Sequence, residues 1–235
     1  MKPGLLAFLW LMLCQTGIAS ADTPTTVFAT YDVYKGRLQI GKIEEQFSRE
    51  NGHYTVTSST RATGWLALFN PGSIVISSTG AIAKTGLRPS LFVDERERNG
   101  DKNRRAEMDW NTHQLTLIEH SKRSTVALPD RTQDRLSAMY QFMFLALQPG
   151  NELDFPMTNG SKLDNYHYSV VKSELLSTPA GELDTLYLDN QAKSGENRTQ
   201  IWLSTLNHNL PCKLIVTESD GDELTQILSK LEVKP

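Results

Sequence analysis

The sequence predicts a mainly β fold, an antiparallel meander of about 10 to 13 strands around one apolar helix. Three observations predict it. Period-two, β-favouring runs fill the chain from Val27 onward, glycine and asparagine punctuate them at short intervals, and the stretch 136–147 (LSAMYQFMFLAL) is polar only at Ser137 and Gln141. Short connections make neighbouring strands antiparallel, because parallel ones need a long crossover. A helix that is apolar all round has to be covered on nearly every side. At about 18 Å it is too short to cross a bilayer.

The 235 residues suit one domain large enough to bury a core, expected over 22–235. A net charge of −3 leaves no basic surface for nucleic acid. Lys2, the apolar run 5–14 and Ala19-Ser20-Ala21 form the three-part pattern of a secretory signal peptide over 1–21, with cleavage after Ala21. No transmembrane span is expected once it is removed. Cys14 raises a lipoprotein reading, but Leu13 stands before it where lipidation sites want a small side chain. Cleavage leaves Cys212 alone, so the domain stands without an internal disulfide.

Residues 27–36, 37–50 and 52–64 read as three successive strands, divided at Lys35-Gly36 and at Asn51-Gly52, a strong hairpin signal. Residues 64–72 (GWLALFNPG) are apolar and bracketed by glycines, and are expected to tuck into the core rather than form an exposed lip. A strand at 73–80 precedes Gly86-Leu87-Arg88-Pro89, and 90–110 forms a hairpin about Asn99-Gly100. Its alternating charges, Asp94 and Arg96 among them, read as a solvated cross-strand ladder or a partner-docking surface. Strands at 113–120 and 123–129 follow.

The helix is expected at about 132–147, capped by Asp130 or Thr132, with Asp134 in its first turn and Pro149-Gly150 as its stop. Six further strand runs occupy 151–233, with turns at Pro179-Ala180-Gly181, Ser194-Gly195-Glu196 and Asp220-Gly221.

The nucleophile elbow, the phosphate-binding loops and the zinc-protease helix motif are absent from the sequence. His53, His113, His120, His167 and His208 stand apart. The spacing of seven places His113 and His120 on opposite faces of one strand. Asp130 and Asp134 share a helix face, and capping explains both better than acid/base chemistry. Cys212 reads as a small core residue. No catalytic residue, metal or cofactor is therefore expected. Aromatic and aliphatic side chains give the one candidate site: Trp65, Leu68, Phe69, Trp110, Tyr140, Phe144 and Trp202 line an apolar pocket if the helix fills only part of the sheet's concave face.

Several short features, in order, carry a resemblance. They are Tyr31 with Gly36 and Gly41, Gly86-Leu87-Arg88-Pro89 with Phe92, and Asp109-Trp110. Asp134-Arg135-Leu136-Ser137 with Tyr140-Gln141, Thr178-Pro179-Ala180-Gly181-Glu182, and Ile201-Trp202-Leu203 with Pro211 complete the set. In these the chain resembles the exported bacterial proteins grouped as domain of unknown function 3108. The resemblance implies an exported all-β protein whose meander curves into a half-barrel, similar to a capsule-associated lipoprotein. The run Trp202-Leu203 followed by Leu210-Pro211 is more distantly similar to periplasmic lipoprotein carriers, curved sheets that hold acyl chains. The family has no established activity and implies no catalytic residues. The expected function is a non-enzymatic periplasmic protein that binds an apolar or lipid ligand or assists envelope assembly. The alternatives are a solid interaction module docking an envelope protein partner, and a hydrolase with an unfamiliar site.

Overall fold

The computed structural model describes residues 23–69 and 71–235; the expected signal peptide lies outside them. Eight strands come first: β1 (Thr26–Lys35), β2 (Leu38–Glu50), β3 (His53–Ala62), β4 (Ile74–Ala83), β5 (Gly86–Arg96), β6 (Arg104–Asp109), β7 (Gln114–Glu119) and β8 (Lys122–Ala127). The short strand β9 (Gln133–Asp134) and the helix α1 (Ser137–Gln141) follow. Then come β10 (Glu152–Thr158), β11 (Leu163–Thr178), β12 (Gly181–Asp189), β13 (Arg198–Ser204), β14 (Leu210–Thr217) and β15 (Glu223–Lys234).

All fifteen strands form one open sheet, from β8 through β1 at its middle and then from β15 to β9 at the far edge. The predicted antiparallel meander is present on both sides of the β1–β15 pair. The sheet coils, as a twisted sheet of this size must, and stops short of closing into a barrel. The segment 128–132 carries the chain from the β8 edge to the β9 edge, and α1 lies across the concave side against β5 and β14.

The fifteen strands exceed the expected range; one of them, β9, is only two residues long, and no period-two pattern marks a strand that short. The helix is shorter than expected. Extended backbone persists through Asp134, since Gln133 and Asp134 pair in parallel with Met157 and Thr158 of β10. The helix runs Ser137–Gln141 and tightens into a 3-10 turn at Phe142–Phe144. Neither Asp130 nor Thr132 caps it: the N-cap position is Leu136, and Asp134 ties the turn before the helix, where Oδ1 accepts the backbone N–H groups of Leu136 and Ser137 at 2.9 and 2.8 Å.

The apolar stretch nevertheless packs on both flanks, as its sequence demands. Tyr140 and Met143 join Phe47, Tyr54, Phe92 and Leu115 in one cluster, while Phe142 joins Tyr168, Leu188, Ile201 and Leu203 in another. Gly86-Leu87-Arg88-Pro89, which fell between the expected strands, belongs to β5. A bulge opposite Thr79 and Gly80 accommodates Pro89, which has no N–H for the ladder. These residues hold the helix. Leu87 N–H donates to Gln141 Oε1 at 2.7 Å, Gln141 Nε2 donates to the Thr85 carbonyl at 2.8 Å, and Gln133 Nε2 donates to the Leu87 carbonyl at 2.9 Å. Gly86 has φ +110°, and a Cβ there would lie 2.4 Å from the Gln141 amide, so only glycine fits this approach.

None of the described residues of 64–72 enters the core. Gly64–Phe69 forms a 3-10 turn in the β3–β4 connection, with Leu68 85% and Phe69 71% exposed and Trp65 edge-on to Phe69.

Candidate functional site

Strand pairing builds the concave face in rows, because side chains directly opposite one another share a face. Phe47, Val56, Ser78, Phe92 and Ala106 lie side by side across β2–β6, all fully buried beneath the helix. The next row outward is Glu45, Ser58, Ile76 and Asp94, and beyond it come Ile43, Thr60, Ile74 and Arg96. The facing wall carries Thr199 and Val216, paired across β13 and β14, with Leu214 beside them. Leu136 and Met139 of the helix segment and Tyr31 of β1 close the bottom.

These walls do not meet. Between them lies a hollow of about 600 Å³, open to solvent at one end, within the usual range of roughly 300 to 1,000 Å³ for small-molecule sites. A smaller hollow of about 350 Å³ lies on the other side of the helix, bounded by Gln141, Phe144 and Phe155.

None of the seven expected lining residues borders the larger hollow. Phe144 borders the smaller one. Trp65, Leu68 and Phe69 project from the lip just beyond Thr60, outside the hollow. Trp110 packs at the edge of the main cluster, beneath the Arg88 guanidinium, and donates its indole N–H to the Pro89 carbonyl. Tyr140 is buried in that cluster and reaches the hollow only through its hydrogen bond to Glu45. Trp202 alternates with Ile201 and Leu203 and therefore faces the other way; it packs on Tyr187 beneath the Lys213 ammonium and donates to Glu174.

Sequence reasoning missed the four charged residues of the hollow: Glu45, Arg96, Arg135 and Glu218. Glu45 Oε2 accepts the Tyr140 hydroxyl at 3.0 Å and Oε1 accepts Ser58 Oγ at 3.1 Å. Burial holds its carboxyl above the ordinary range despite both bonds. Asp94, expected on a solvated hairpin tip, is fully buried, because Arg135 comes from the far edge of the coiled sheet to meet it. One carboxylate oxygen, Asp94 Oδ2, serves Arg135 Nη2 at 2.9 Å and Arg96 Nη2 at 3.5 Å. Glu45 was legible in one respect: it is a charge at an inward position of β2, between Ile43 and Phe47.

A second buried carboxylate has a structural role. Asp134 Oδ2 accepts Ser78 Oγ at 2.6 Å, Ser78 is hydrogen-bonded to the Tyr54 hydroxyl at 2.9 Å, and the Ser137 hydroxyl accepts the Asp134 N–H. This Ser–Asp contact has no histidine among its partners and is sealed from solvent, which suits anchorage better than nucleophilic catalysis.

Cys212 is buried, and burial pushes its thiol up to about 12. A thiol reagent should therefore label the folded protein negligibly at neutral pH and react with one equivalent in denaturant; rapid labelling of the native protein would place Cys212 outside the core.

The fold and hollow define an open β half-barrel with a helix-floored internal cavity. The chain belongs to the DUF3108 family, proteins of unknown function, which it matches over residues 30–229. No curated protein matches it. Among solved structures it is similar to a candidate lipoprotein from Parabacteroides distasonis, with 11% identity and a TM-score of 0.37 over 89% of this chain and 96% of that one. It is also similar to a candidate exported protein with a YmcC-like fold from Bacteroides fragilis, with 10% identity and a TM-score of 0.36 over 89% of this chain and 96% of that one. Similarity this remote carries no weight for function.

Proposed function

We propose that the protein is exported to the periplasm and acts there without catalysis, holding the apolar part of a lipid-like ligand for the cell envelope. The carrying observation is the hollow of about 600 Å³ left between helix and sheet, with Ile43, Ile74, Ile76, Met139, Leu214 and Val216 along its walls. Apolar side chains that face an open hollow of this size lack packing partners, so an apolar ligand gains by covering them. The signal-peptide pattern of residues 1–21 supports the periplasmic address.

The test is uptake of a neutral, solvent-sensitive naphthylamine dye by the purified protein. Fluorescence should rise on mixing and fall when laurate displaces the dye, and Ile76→Trp, which fills the hollow, should abolish uptake while the thermal transition persists. Absence of dye uptake by the wild-type protein, together with absence of lipid in its native mass spectrum, would end this reading.

The exposed lip favours a second reading, in which Trp65, Leu68 and Phe69 dock the protein onto an envelope partner. Leu68→Ser with Phe69→Ser then leaves dye uptake unchanged and abolishes docking; loss of dye uptake would assign the lip to the hollow instead.

A further inference from the structure

The hollow is not uniformly apolar: two carboxylates, Glu45 and Glu218, and two guanidinium groups, Arg96 and Arg135, border it. Arg96 stands on β5 in the outer row, beside Ile74, and Arg135 lies directly before the helix floor. Glu45 stands on β2, three strands away along the same wall, or roughly 14 Å at the usual strand spacing.

The arginine end is loosely bonded. Two guanidinium groups share Asp94 Oδ2 while Asp94 Oδ1 has no hydrogen-bond partner among the described residues, and Arg104, opposite Asp94 on β6, already pairs with Glu119 at 2.8 Å. Among the described residues, Arg96 makes no side-chain hydrogen bond, and the Nε–H groups of Arg96 and Arg135 have no acceptor. Arg135 also lies over the Phe92 ring, which fixes its plane without occupying its donors. Burial and the neighbouring Arg96 and Arg104 depress the affinity of Arg135 for its proton, while Asp94 and Asp134 oppose them. An anion placed here would relieve a crowded positive site, and a planar carboxylate or a phosphate matches the guanidinium fork.

Resting on the reading of the hollow as an apolar site, we propose that its ligand is an anionic amphiphile, whose carboxylate or phosphate head binds Arg96 and Arg135 and whose chain runs along Ile74, Ile76 and Met139. The neutralised end and the apolar end of the cavity are then filled by one molecule. A free anion would leave the apolar walls empty, and a neutral chain would leave the guanidinium donors unanswered.

The experiment displaces the naphthylamine dye with compounds that share one chain and differ in their heads: laurate, dodecyl phosphate, dodecanol and dodecyltrimethylammonium. The two anions should bind about tenfold more tightly than dodecanol, the worth of a charge-assisted hydrogen bond, and the cation most weakly. Arg96→Gln leaves the Arg135–Asp94 pair in place; it should erase the preference for anions and keep the affinity for dodecanol. Arg135→Lys, which keeps the charge and loses the fork, should reduce the preference. Equal binding of laurate and dodecanol by the wild-type protein, or an undiminished preference in Arg96→Gln, overturns the assignment of the head site while the hollow stands. Inorganic phosphate competing as well as dodecyl phosphate overturns it in favour of a simple anion site. Binding of none of the four compounds, with no dye uptake, removes the hollow reading itself.

Discussion

Met143→Asp abolishes the cooperative unfolding transition, as followed by circular dichroism in urea. Met143 is buried in the larger cluster, on the 3-10 turn that continues α1. A carboxylate there has no cation to meet among the residues of that cluster, and burying an unpaired charge costs far more than a domain's margin of about 5 to 15 kcal/mol can absorb. The neighbouring change Phe142→Ala is milder. Phe142 fills the second cluster, so its loss leaves a cavity and lowers stability by about 3 to 5 kcal/mol with the transition preserved. The contrast probes the two-sided packing of the helix segment: a folded, cooperative Met143→Asp protein would mean that this segment does not bridge the two halves of the sheet.

Asp134→Ala should also be damaging. It removes the acceptor of the Leu136 and Ser137 N–H groups, worth up to about 2 kcal/mol, and one of the two partners of the buried Ser78 hydroxyl, worth about 1 kcal/mol more, for a loss of about 1 to 3 kcal/mol. Asp134→Asn keeps the acceptor and separates the hydrogen bonds from the charge. Burial raises the Asp134 carboxyl above its ordinary value, in spite of the hydrogen bonds from Ser78, Ser137 and Leu136. A folded-state pKa above the unfolded one favours the protonated folded form. That contribution is present in full below the unfolded value near 4 and is lost as pH rises through the folded value. The stability of the wild-type protein relative to Asp134→Asn should therefore fall as pH is raised from about 4 towards neutrality. A rising difference would show that the hydrogen bonds outweigh burial.

Most strands were legible because they write their burial into an alternation that a short window can contain; β8, exposed throughout, and the two-residue β9 do not. The apolar stretch 136–147 likewise announced a covered segment. Its length was not legible: what ends the extended backbone at Asp134 is a parallel pairing with β10, and no residue within 132–147 records that contact. Asp94 shows the same limit. In sequence it sits among exposed charges of a hairpin, and only the coil of the sheet brings Arg135 to it from 41 residues away. The lip was misplaced for the opposite reason, since Trp65, Leu68 and Phe69 look like core and stand exposed in the connection between β3 and β4. The hollow was open to sequence reasoning only as a question, because volume is a difference between two packed surfaces that lie far apart along the chain.

The pairing of β1 with β15 sets the order in which the molecule can assemble. Thr26 lies against Lys234, so the strand made first waits for the strand made last, and the two halves of the sheet have no seam to join until nearly the whole chain is available. Contacts this distant in sequence form slowly. A growing or partly delivered chain therefore holds two unfinished half-sheets, each with a free edge at the position of the missing partner. A chain with its ends paired at the centre of its sheet stays threadable until its final residues arrive, and it locks when they do.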